Sequence, residues 1–233
     1  MFFKEGRNGS RIEVQLPFET IEVEDSPNRF VTQPDAIRTT LFDHRQYAGI
    51  SAKYSFNSFD NVSLPALGLG FYLQGIWKTS LDEIKQNFPY LESSLNIVHK
   101  ITHDDALVFS TTVKGKVLLN NNFEFYQAAT LGGDTDLRGY RRERFTGKQS
   151  FYHSNDLRLT LGEWKSSFLP LRYGVTAGFD YGRVWVNDDN SRKWHNSYGG
   201  SLWLNAVDAL TAKVSYFQGE DGGRISIGFS FGF

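Results

Sequence analysis

Over residues 225–233 every odd position is large and apolar (Ile225, Ile227, Phe229, Phe231, Phe233) and every even one is small or polar (Ser226, Gly228, Ser230, Gly232). A side-chain period of two belongs to a β-strand, so the segment carries one bulky apolar face and one slim polar face. The alternation recurs upstream. Leu210, Ala212, Val214 and Tyr216 oppose Thr211, Lys213, Ser215 and Phe217, and Tyr198, Gly200, Leu202, Leu204 and Ala206 oppose Ser201, Trp203 and Asn205. Within 169–185, Leu171, Tyr173, Val175, Ala177, Phe179 and Tyr181 face away from Arg172, Gly174, Thr176, Gly178, Asp180 and Gly182. Further strand-length segments fall near 151–161, 106–119, 91–102, 66–78 and 47–57. A weaker one at 10–18 sets Ile12, Val14, Leu16 and Phe18 against Arg11, Glu13 and Gln15, with Pro17 confining it to an edge or a strand end.

The apolar face of such strands meets either the dry centre of a sandwich or the acyl chains around a membrane barrel. The opposite face decides between them. By parity Lys53, Glu92, Lys100, Lys114, Lys116, Asp156, Arg158, Arg172, Asp180 and Lys213 all lie on the small or polar side. A sandwich core would have to bury these ions at several kcal/mol each, whereas a barrel lumen hydrates or pairs them. The expectation is an all-β, transmembrane antiparallel β-barrel of 8–10 strands, an even number being the rule for single-chain bacterial barrels. The barrel is expected over 46–233. Residues 1–45 form an N-terminal extension with a first strand at 10–18, followed by a loop, plug or cap with no sustained period.

Composition narrows the field further. Twenty Phe, 11 Tyr, 5 Trp and 22 Gly beside a single Met favour strands and tight turns over packed helices. No apolar run approaches the roughly 20 residues of a spanning helix. The net charge of −1, without a basic block, gives no footprint for nucleic acid. The absence of Cys removes thiolate chemistry and disulfides. The first six residues show no apolar signal segment, so any export signal is expected to be removed or absent.

A long insert, 121–150, separates the strands near 106–119 and 151–161 and contains Leu131-Gly132-Gly133 followed by Leu137-Arg138-Gly139-Tyr140. Loops of this length are usually functional or disordered. Paired glycines and the apolar anchors Tyr140 and Phe145 indicate an ordered one. The Leu-Arg-Gly-Tyr string, preceded by Gly-Gly and followed by five strands and a terminal Phe, resembles the inward-folded sixth extracellular loop of the BamA-like superfamily. That superfamily holds outer-membrane assembly factors and two-partner-secretion transporters. The resemblance implies that Arg138, Gly139 and Tyr140 enter the lumen and that Arg138 meets Asp180 in Gly178-Phe179-Asp180. It also implies a role for Asp156 on the strand directly after the loop, and a C-terminal barrel signal at Phe229, Phe231 and Phe233. The stretch from Asp60-Asn61 to Pro65 and Gly68 resembles a Pro-x-x-Gly turn of the same family. The usual members have 16 strands and periplasmic transport-associated domains, for which these residues have no room, so the expectation is either a short member lacking those domains or the C-terminal segment of a longer protein.

The function implied is insertion, translocation or assembly of polypeptides in the bacterial outer membrane. The alternative is a non-enzymatic structural or lipid-contacting barrel, alone or as a homodimer, that has lost transport. A lumen-gated pore is a third reading. Expected partners are outer-membrane lipids, a polypeptide client and a second copy. No cofactor or metal is expected: His99 and His103 share no ligating face on a strand-to-turn stretch, and no catalytic or phosphate-binding motif is present.

Overall fold

The computed structural model describes residues 2–5, 9–23, 44–82, 86–121, 123–165, 169–186 and 192–232. The alternating segments form long strands: β4 (Arg45–Asn57), β5 (Gly68–Ser80), β6 (Asn87–Lys100), β7 (Leu107–Leu118), β10 (Gln149–Trp164), β11 (Leu171–Trp185), β12 (His195–Ala206), β13 (Leu210–Gly219) and β14 (Gly222–Phe231). They are preceded by three short strands, β1 (Phe2–Glu5), β2 (Ser10–Gln15) and β3 (Phe18–Ile21). The insert contributes a separate two-stranded ribbon, β8 (Ala129–Leu131) with β9 (Phe145–Gly147).

The main sheet has twelve strands, paired antiparallel in the order β1-β2-β4-β5-β6-β7-β10-β11-β12-β13-β14, with β3 also on β4. Strands β2 and β3 lie end to end along β4, against residues 51–56 and 45–48 respectively. Pro17 sits at the break, where it cannot donate but accepts from Gly49 N at 3.0 Å. The weak segment at 10–18 is thus a strand that Pro17 divides. The loop expected after it falls largely on 24–43, outside the described residues.

Parity sorts the two faces as a membrane barrel requires. Leu202, Ile225, Ile227 and Phe229 are each about two-thirds exposed, while Asp180, Ser197 and Asn205 on the opposite face are at or below 1 %. Phe229 and Phe231 point outward with them; Phe233 lies outside the described residues. The apolar face therefore looks out and the small or polar face encloses an interior. Such an exterior suits acyl chains, not water.

The sheet curls far enough for its distant parts to touch. The turn between β4 and β5 folds inward, so that Ser63 Oγ accepts from Asn205 Nδ2 at 3.2 Å and Ser63 O accepts from Thr211 Oγ1 at 2.9 Å. Arg158 Nη2 of β10 donates to Pro65 O at 2.8 Å across the same space. This turn and Gly232, just beyond β14, come together, with Ser63 Cβ next to the Gly232 backbone. Among the described residues no ladder joins β1 to β14.

Candidate functional site

Strands β7 and β10 are direct neighbours in the sheet, so the 30 residues between them are not needed to cover distance. They turn inward. Lys116 Nζ on the β7 wall holds Ala128 O at 3.1 Å, and Lys114 Nζ holds Thr135 O at 2.6 Å and Asp136 Oδ1 at 3.2 Å. Between these anchors Gly132 and Gly133 take φ of +115° and +118°, a backbone region that costs an L side chain dearly. The chain is thereby turned so that Leu131, Leu137 and Tyr140 pack with Tyr152 of β10, flanked by Phe145 and Val184.

At the innermost point lies Arg138. Its Nε donates to Asp180 Oδ2 at 3.0 Å and Oδ1 at 3.2 Å, and its Nη2 to Asp180 Oδ1 at 2.6 Å. Its backbone N adds a bond to Asp180 Oδ2 at 3.1 Å. The other edge of the guanidinium grips Asp156 of β10, with Nη2 to Oδ1 at 2.8 Å and Nη1 to Oδ2 at 3.1 Å. Two bidentate forks on one planar cation fix its orientation, which a point-charge ammonium could not do. Asp180 is fully buried, and Ser197 Oγ of β12 also donates to it at 2.9 Å. The Tyr152 hydroxyl lies 3.4 Å from its other oxygen. Burial works against the charge on Arg138, but the bonds to Asp180 and Asp156 outweigh it and hold the pKa above the ordinary guanidinium value.

Small residues make room for this seat. A Cβ on Gly178 would fall 2.4 Å from Asp156 Oδ1 and 2.7 Å from Arg138 Nη2. A Cβ on Gly139 would fall 2.6 Å from Gly219 N and 2.7 Å from Ser197 Cβ. Next to it the buried Tyr140 hydroxyl donates to Asn196 O at 3.0 Å and accepts from Glu220 N at 3.1 Å, so one phenol ties the loop to both β12 and the β13–β14 turn. Arg224 Nη1 of β14 donates to Tyr140 O at 2.6 Å.

The structure thus brings Arg138, Gly139, Tyr140, Asp156, Gly178 and Asp180 into one cluster. Phe229 and Phe231 stay outside it on the apolar face. The sequence did not point to Ser197, Tyr152 and Arg224, nor to Phe217, whose ring lies against the Arg138 guanidinium. Phe217 did leave a signal, because it is a bulky apolar residue on an otherwise slim polar face; the other three are ordinary lumen-side residues at their positions.

Residues 40–206 match the family described as haemolysin secretion/activation protein ShlB/FhaC/HecB. Among solved structures, the crystal structure of BamA from Haemophilus ducreyi lacking POTRA domains 1-3 is similar, with a TM-score of 0.67 and 15 % identity. The alignment covers 95 % of this chain and 51 % of that one, so the chain spans about half the length of that structure. No curated protein matches the chain.

Proposed function

The chain belongs to the haemolysin secretion/activation family of ShlB, FhaC and HecB, and from that premise we propose that it acts in the bacterial outer membrane in the insertion or translocation of polypeptides. In this reading residues 46–233 are the barrel, residues 1–45 an extension at its first edge, and the seated 121–150 loop the element on which activity depends. Outer-membrane lipids surround it, and unfolded polypeptide is its client. The supporting observation is the double fork of Arg138 on Asp180 and Asp156, which holds the loop inside the wall. No group in the cluster is arranged as a nucleophile with a base, so the reading is non-enzymatic.

The test uses the protein reconstituted in liposomes and a urea-denatured eight-stranded outer-membrane barrel as the client. Folding of the client, followed as the appearance of its unboiled gel band, should be faster with the protein than in empty liposomes, and Arg138→Ala should abolish the gain. Equal rates in the two kinds of liposome would overturn the proposal.

A second reading is a structural or lipid-contacting barrel, alone or paired with another copy, without transport. It is favoured by the interior being occupied from both ends, by the loop at one and by the 58–67 turn at the other. That same occupancy argues against a steadily open pore.

A further inference from the structure

Between the Arg138 cluster and the inward turn at 58–67 the barrel retains a cavity of about 300 Å3. Its wall includes Asp156 and Arg158 of β10, Thr176 of β11, Trp203 of β12 and Lys213 of β13. Asp156 is the one carboxylate in this lining, and both of its oxygens are already engaged by Arg138. Among the described residues neither Arg158 nor Lys213 forms an ion pair with a carboxylate; Asp60 and Asp105 act on Arg158, and Asp156 on Lys213, only through space. Arg158 makes a single hydrogen bond, to Pro65 O, and its Nε is buried without a partner. Among the described residues Lys213 has no hydrogen bond or ion pair.

Among the clamp and the residues lining the cavity, three cations stand against two carboxylates, and the cavity is wide enough for a small ion or a few waters. A partly desolvated cation without an ion-pair partner gains from an anion placed beside it. Parity alone does not demand these cations, since Ser, Thr or Gly at the same positions would keep the wall intact.

We propose that this cavity is a binding site for a single oxyanion, a phosphate or a carboxylate, held between Arg158 and Lys213. The guanidinium fork of Arg158 matches the geometry of such a group, and the Thr176 hydroxyl is a further donor on the same wall. Trp203 and Val108 supply apolar surface beside it. Two sources can provide the oxyanion. One is free phosphate. The other is a lipid headgroup, because the lining continues to Phe229 and Ser230 of β14, whose far edge carries no ladder among the described residues and whose Phe229 side chain lies on the lipid side. This inference does not depend on polypeptide transport, and its failure would leave that reading untouched.

The test uses the full chain purified in an uncharged detergent without phosphate. The midpoint of urea unfolding, read from the compact unboiled gel band, is measured against inorganic phosphate, dioleoyl phosphatidic acid and chloride at matched ionic strength. A saturable rise with phosphate and phosphatidic acid, beyond that of chloride, is expected. A rise with phosphatidic acid alone assigns the site to a lipid headgroup, and a rise with phosphate alone to the free ion. Lys213→Met removes a partly buried charge that has no ion pair, so it should fold at least as well as the parent without ligand, while its half-saturating concentration rises about tenfold or more. Arg158→Gln should act in the same direction. No rise with either probe, or an equal rise in parent and Lys213→Met, would overturn the proposal.

Discussion

The guanidinium carbon of Arg138 lies 3.9 Å over the centre of the Phe217 ring. Its edges are spent on Asp180 and Asp156 and one flat face on an aromatic, so the cation is matched on three sides. Phe217 is buried to 1 % on the lumen side of β13, where neighbouring positions carry Ser215 and Lys213. The sequence pattern is broken there by the cation that covers it.

Removing that cation strands two carboxylates, one of them fully buried. Arg138→Ala should cost about 3–5 kcal/mol, as expected when one partner of a buried pair is lost. The check is the urea midpoint of the compact, unboiled form in detergent. Arg138→Lys should recover only part of the loss, since an ammonium cannot make two forks. An unchanged midpoint in Arg138→Ala would show that the clamp carries no stability.

Tyr140→Phe removes a buried hydroxyl that serves Asn196 O and Glu220 N together. A loss of about 1–3 kcal/mol is expected, with earlier cleavage of the 121–150 loop under limited proteolysis. Gly139→Ala should act on the same readout for a different reason, the approach of its Cβ to the Gly219 backbone. If both variants keep parental protection, the loop tip is not held as described.

Leu202→Arg tests the outward face. In a soluble protein an exposed leucine on β12 could become arginine at little cost, but at mid-membrane depth the change should cost about 2–4 kcal/mol. The expected result is a reduced yield of the compact form in the membrane fraction. Full recovery of that form would mean the face does not meet acyl chains.

The 58–67 turn provides a pH dependence. Asp60 Oδ1 accepts from the backbone N of Asn61 and Ala66, each at 2.9 Å, and of Leu67 at 3.1 Å, and Lys100 stands 3.9 Å from its other oxygen. Desolvation opposes the charge, but these donors and Lys100 prevail and hold the carboxyl below its ordinary value of 3.8. A lowered carboxyl contributes stability that is complete above the unfolded value and is lost as pH falls through the folded one. Pepsin cleavage at the turn should therefore increase as pH falls below about 4. Asp60→Asn, which keeps an acceptor and does not titrate, should flatten the profile.

The long strands were readable because period two needs only local sequence, as Ile225 to Phe231 against Ser226 to Ser230 makes plain. Four residues are too few for that signal, which is why β1 left none and β3 showed only its first residue, Phe18. The glycines and the arginine of the loop stood out in the sequence through their resemblance to a family. The contacts of Ser63 with Asn205 and Thr211 did not, because they join residues more than 140 positions apart and depend on how far the sheet curls. The same holds for the unpartnered state of Lys213. Parity places its side chain in the lumen but does not state which carboxylates are already taken.

The donors that converge on Asp180 come from the loop, from Ser197 on one neighbouring strand and from Tyr152 on the other. The full set of donors is assembled only where β10, β11 and β12 lie side by side in register. A fully furnished Asp180 and a completed stretch of wall are therefore one and the same condition, and the seated loop is a marker of that condition.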